Sequence, residues 1–138
     1  MNKTITVETV VHADADKVWE FWNTPEHIEH WMHASDDWEC PKAVNDLTIG
    51  GRFSFTFAAK DGSNSFNVTG VYTAIEENKH IAYTMDDARI VTVSFESGDG
   101  GVHIVETFEM EHENSEELQR SGWQAILDNF KSYVESSG

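Results

Sequence analysis

The chain has 138 residues, with 25 acidic side chains against 9 basic ones and a formal net charge of −16. So acidic a chain disfavours nucleic acid and anionic membranes as partners, because both repel it. Apolar residues at 39% and aromatics at 12% exclude a disordered acidic tail and predict one domain, residues 1–138, that folds without a disulfide or metal staple.

Lys3 to His12 is rich in β-branched residues and predicts a strand. From Asp14, a good N-cap, the period changes. Ala15, Val18, Trp19 and Trp22 recur at helical spacing. Thr24-Pro25 ends that helix and starts a second, whose Ile28, Trp31 and Met32 share one side. From Ala34 to Asp46, around Trp38, Cys40 and Pro41, the pattern fades and predicts a loop.

Arg52 to Ala59 alternates strictly: Phe53, Phe55 and Phe57 are interleaved with Ser54 and Thr56. That is a half-buried strand with one aromatic face. The turn at Lys60–Asn64 leads to a return strand over Ser65–Ile75, and three more strands are expected at His80–Met85, Arg89–Glu96 and Val102–Glu111. Parity puts Phe53, Phe55, Phe66, Val68, Val93 and Phe95 on one face. It puts Ser54, Thr56, Asn67, Thr69, Thr92 and Ser94 on the other. After Asn114-Ser115, a long helix of about 20 residues is expected, with Leu118, Gly122, Trp123, Ile126, Leu127, Phe130 and Val134 at three- and four-residue steps.

The fold class is therefore α+β: a curved antiparallel sheet of about six strands around a long C-terminal helix, with two short helices after the first strand. One amphipathic helix covers only one face of such a sheet. The lone Cys40 excludes an internal disulfide. No apolar run reaches the roughly 18 residues of a membrane helix, and the first residues lack the apolar stretch of a signal peptide, so the expected location is cytoplasmic.

In this order of elements, four local signatures carry a family resemblance. They are the opening helix from Ala13 to Trp31, the strand start Gly50-Gly51-Arg52-Phe53, the strand Gly70-Val71-Tyr72 leading to Ile75, and Ser121-Gly122-Trp123 followed by Leu127. The chain resembles the helix-grip (START-like, or SRPBCC) superfamily, and within it the group named after the activator of the heat-shock protein 90 ATPase. The resemblance implies an apolar cavity between the sheet and the long helix. The superfamily's functions range over lipid and hormone carriers, cyclases, dioxygenase subunits and chaperone activators, so the fold alone does not name the activity.

The candidate lining of such a cavity is Trp22, Trp31, Phe53, Phe55, Phe66, Tyr83, Phe95, Trp123, Ile126, Leu127 and Phe130, with Glu106 as its polar member. Each aromatic reads either as plain core or as ligand contact. Gly122 costs about 1 kcal/mol relative to alanine inside a helix. It implies either space beneath the helix or close approach to the sheet. Glu106 has two readings as well. If Val102, Ile104 and Phe108 face the core, parity sends Glu106 inward too, to pair with Arg89 or His80, meet a ligand, or act as an acid or base. If the strand faces the other way, His103, Val105 and Thr107 are inside and Glu106 is a surface charge.

His27, His30 and His33 near Cys40 have no established metal-ligand spacing, so no metal is expected. No motif implies a cofactor or a catalytic nucleophile. Glu39 beside Cys40 would raise the thiol's pKa. The expected function is binding of a small apolar or aromatic molecule. The alternatives are a cyclase- or hydrolase-like enzyme in the same pocket, which would need Glu106 with His80 or Tyr83, and a chaperone-associated interaction module. The expected partner is a small apolar molecule, with a protein partner or homodimer as a further possibility.

Overall fold

The computed structural model describes residues 3–137. Strand β1 (Thr4–Val11) is followed by the short helices α1 (Ala15–Asn23) and α2 (Pro25–Trp31). Six strands follow: β2 (Trp38–Asn45), β3 (Arg52–Ala59), β4 (Ser65–Glu76), β5 (His80–Met85), β6 (Ile90–Gly98) and β7 (Gly101–Glu109). The chain ends in the long helix α3 (Glu116–Ser136). The seven strands form one antiparallel sheet in the order β1-β7-β6-β5-β4-β3-β2. Its curled inner face holds α3.

The expected loop at 34–46 contains a seventh strand. β2 is an edge strand paired only with β3, and its register shifts between Glu39 and Lys42. Proline lacks the N–H a ladder needs and is confined to edges and bulges. Pro41 sits at such a place, and the bulge breaks the alternation by which the strand would otherwise be read.

Side-chain parity holds along the sheet. On β7, Val102, Ile104, Glu106 and Phe108 are buried and alternate with half-buried neighbours. Val91, Val93 and Phe95 of β6 and Ile5, Val7 and Val11 of β1 share that inner face. The outer face is polar, with Thr6 against Thr107 at 3.0 Å and Thr56 donating to Asn67 at 2.8 Å.

Helix α3 starts at Ser115, whose hydroxyl accepts from the Leu118 N–H at 3.1 Å and so satisfies a first-turn donor. Leu127, Phe130 and Val134 are its fully buried apolar stripe. The helix is pinned to β1. Gln124 Nε2 donates to the Glu8 carbonyl at 3.1 Å, Lys131 Nζ to that of Val10 at 2.6 Å, and the His12 N–H to the Glu135 carboxylate at 2.9 Å. These ties hold α3 to one side of the curled sheet and leave room over β3, β4 and β5.

No helix among the described residues is long and apolar enough to cross a membrane.

Candidate functional site

The room beside α3 is a cavity of about 470 Å³. Its sheet wall comes from Phe53, Phe55 and Phe57 of β3, Phe66, Val68 and Tyr72 of β4, Ile81, Tyr83 and Met85 of β5, and Glu106 of β7. Its helix wall is Gln119, Gly122, Trp123, Ile126 and Leu127, and Trp22 of α1 and Met32, just after α2, reach in from the other side. Gly70 makes the β3–β4 wall possible. A Cβ there would lie 2.7 Å from the Phe53 ring and 2.7 Å from the Thr84 carbonyl oxygen, so the missing side chain lets Phe53 lie flat across the strand. Phe53 then packs on Phe55, Tyr72 and Tyr83 with ring centroids 5.0, 5.4 and 4.8 Å away.

Gly122 has the opposite role. A Cβ built on it meets no atom within 4 Å, although it lies on the inward stripe of α3. Of the two readings of this glycine, space beneath the helix is the one realised.

Glu106 faces inward. It is 7% exposed, flanked by Val7 and Val93 on the neighbouring strands. Burial pushes its carboxyl up to about 8, and no hydrogen bond or opposite charge among the described residues draws it back. Neither expected partner reaches it. His80 has the parity of the outer face, opposite to its neighbour Ile81. Arg89 lines the cavity, but its Nε donates to Asp87 at 2.8 Å. The Tyr83 hydroxyl lies close enough to feel the Glu106 charge. Burial first, and that charge second, hold its pKa well above the usual tyrosine range. Tyr72 is likewise raised by burial and donates to Asn45 Oδ1.

Of the expected lining residues, Trp22, Phe53, Phe55, Phe66, Tyr83, Glu106, Trp123, Ile126 and Leu127 border the cavity. Trp31, Phe95 and Phe130 do not. They pack with Trp22 into a solid cluster that closes one end. Trp22 lies 5.1 Å from Trp31, 5.5 Å from Phe95 and 4.9 Å from Phe130, and Trp31 donates its indole N–H to the Phe21 carbonyl at 3.0 Å. Periodicity identifies the face a side chain joins, not its depth below the cavity floor.

Several lining residues had no sequence signal. Ser35 and Asn114 lie on loops, where no period applies. Trp38 belongs to the unrecognised β2, and its ring meets Phe66 at 5.8 Å beside the mouth. Phe66 is 50% exposed there, stacked on Phe57 at 5.3 Å. Gln119 is a buried polar anchor, taking the Glu111 N–H and donating to the Glu111 and Asn114 carbonyls, and so fixes the β7–α3 loop over the cavity.

His27, His30 and Cys40 are occupied otherwise. His27 stacks on Phe21 at 3.8 Å with Nδ1 2.7 Å from the Tyr133 hydroxyl, and His30 stacks on Tyr133. Among the described residues, no three His, Cys, Asp or Glu side chains gather as metal ligands. Cys40 is buried and its thiol pushed up to about 11, first by burial and further by Glu29 rather than by its chain neighbour Glu39.

Residues 12–135 match the family model described as Activator of Hsp90 ATPase homolog 1-like protein. The chain belongs to that family. A solution structure of an AHSA1-like protein from Aeromonas hydrophila is 43% identical, with a TM-score of 0.93, covering 99% of this chain and 94% of that one. A protein from Cytophaga hutchinsonii is 50% identical, with a TM-score of 0.84, covering 97% of this chain and 93% of that one. A protein from Nitrosomonas europaea, 14% identical with a TM-score of 0.84 over 98% of this chain and 96% of that one, shares the fold. No curated protein matches the chain. Within this Activator of Hsp90 ATPase homolog 1-like domain, the helix-grip arrangement of curled sheet and long C-terminal helix is as the sequence predicts.

Proposed function

We propose that the protein binds a small apolar or aromatic molecule in the cavity between α3 and β3–β5. One observation carries this reading: about 470 Å³ of space bordered mostly by aromatic and aliphatic side chains, with few polar groups. Ligand sites for drug-sized molecules typically span roughly 300–1,000 Å³ with this kind of lining. A chaperone-type interaction module would work through its outer surface and need no such space. Trp22, Phe53, Phe55, Phe66, Tyr83, Trp123, Ile126 and Leu127 supply contact area, and Glu106 orients the occupant. Trp31, Phe95 and Phe130 stiffen the closed end without touching it. The acidic exterior fits a cytoplasmic binding protein that avoids anionic surfaces.

Titration with a library of neutral aromatic compounds, followed by tryptophan fluorescence, tests the reading, because Trp22, Trp38 and Trp123 border the cavity. Saturable changes support it. A flat response across the library overturns it.

A second reading has its own support. A carboxyl at about 8 beside a buried tyrosine is poised to exchange protons near neutral pH. Glu106 would serve as the acid or base of a cyclase- or hydrolase-like reaction, with Tyr83 as hydrogen-bond donor. His80 has no part in it. Turnover of any cavity ligand that is lost in Glu106→Gln, with binding retained, would favour this version.

A further inference from the structure

A carboxyl buried to 7% exposure on a strand whose same-face neighbours are Val102, Ile104 and Phe108 is a costly choice for a core position. Among the described residues it has no hydrogen-bond partner and no cation beside it. Valine or leucine at this position would carry no carboxyl desolvation cost. The missing partner is therefore sought in what enters the cavity.

We propose that the cavity's occupant is an amine: an aromatic or cyclic apolar molecule carrying one cationic nitrogen, seated against the Glu106 carboxylate. This rests on the reading of the cavity as a ligand site. Three further observations select a cation over an anion or a neutral molecule. Two of the ionisable lining residues, Glu106 and Glu111, are acids, Glu111 being held by the Asn114 N–H and side-chain amide, and one, Arg89, is a guanidinium already paired with Asp87. The rings of Trp123, Tyr83 and Phe53 border the same space, and a cation is attracted to an aromatic ring within about 6 Å of its centroid. The net charge of −16 raises the local concentration of cations and repels anions.

Proton bookkeeping follows from the groups that face Glu106. The packed neighbours on β1 and β6 are Val7 and Val93, neither titratable. Tyr83 and Tyr72 stay neutral, since burial raises both. Arg89 and Glu111 sit at the lining from the β5–β6 turn and the β7–α3 loop, and the inward stripe of α3 brings no charge. At neutral pH Glu106 is mostly protonated. When an ammonium ion docks, the carboxyl O–H bond breaks, the proton leaves to the buffer, and an ammonium–carboxylate pair remains. Binding then releases close to one proton.

Isothermal titration calorimetry at neutral pH, in two buffers of different ionisation heat, compares three indoles of nearly equal shape: tryptamine (cation), 3-propylindole (neutral) and indole-3-propanoate (anion). Tryptamine is expected to bind at least about tenfold more tightly than 3-propylindole, in the range of a desolvated charge pair, with release of nearly one proton. Glu106→Gln is expected to remove that advantage and the proton release. Amide NMR spectra check that the variant is folded, and the proton count in the wild-type chain stands independently of the variant. If 3-propylindole binds in the cavity and tryptamine binds no better, the inference fails and the ligand-site reading survives. If indole-3-propanoate binds best, Arg89 is the anchor and the inference is overturned. If none of the three produces heat, the ligand-site reading fails and takes the inference with it.

Discussion

The indole of Trp123 stacks on the ring of Phe108 with centroids 3.9 Å apart and planes at 10°. This contact sets the height of α3 over β7. Gly122 is the residue before the indole, and Glu106 is two residues before the phenyl ring on the same strand face. The stack is therefore a pillar at the edge of the cavity: on one side lies solid core, on the other the open space beneath Gly122.

Removing the pillar is expected to be expensive. Trp123→Ala should lower the unfolding free energy by about 3 kcal/mol, read from urea denaturation. Trp123→Phe keeps an aromatic face on Phe108 and should lose about 1 kcal/mol. Equal losses in the two variants would mean that the stack contributes little.

Gly122 yields two opposite expectations. Gly122→Ala adds a methyl group where nothing lies within 4 Å. It should stabilise the helix by about 0.5–1 kcal/mol. Gly122→Leu sends a larger side chain into the cavity and should block ligand entry with the fold intact. Thermal unfolding and amide NMR report both, and destabilisation by Gly122→Ala would contradict open space at this position.

Glu106 imposes a pH dependence whose sign is fixed. Its folded-state carboxyl titrates at about 8, above the unfolded value. Below the unfolded pKa both states are protonated and there is no penalty. As pH rises from about 4.5 to about 8 the unfolded chain ionises first, so stability falls by an amount on the order of several kcal/mol. Above that window both states are ionised and the penalty is constant. Glu106→Gln removes it. The difference in unfolding free energy between variant and wild type should grow in the variant's favour across the window. A pH-independent difference would mean the carboxyl is solvated or paired.

Ala88 lies in the β5–β6 turn with φ of +77°, a left-handed conformation for a residue with a Cβ. Such a conformation costs an L-residue roughly 1–2 kcal/mol. Ala88→Gly should therefore raise stability by about 1 kcal/mol, read from the denaturation midpoint, without disturbing the neighbouring Arg89–Asp87 pair.

Much of this architecture was legible in the chain because strand parity and helical period survive folding. The alternation Phe53-Ser54-Phe55 named the inner face of β3, and Val102-Ile104-Phe108 carried Glu106 inward with them. β2 was illegible because Pro41 and the bulge beside it interrupt the alternation at an edge. Trp31, Phe95 and Phe130 look like Phe53 and Trp123 in sequence. Which of them meet open space follows from tertiary placement, including the tie of α3 to β1 through Gln124, Lys131 and Glu135. Gln119 gave no signal either, since its role is to hold the turn of backbone at Glu111–Asn114 rather than to sit on a face.

The most direct test is a heteronuclear NMR titration of the nitrogen-15-labelled protein with neutral 3-propylindole, in the wild-type chain and in Gly122→Leu. A binding cavity under α3 predicts saturable shifts clustered at Tyr83, Glu106, Gly122 and Trp123, and their loss in the plugged variant. Shifts scattered over the outer surface and unchanged in Gly122→Leu, or no shifts at all, would contradict it.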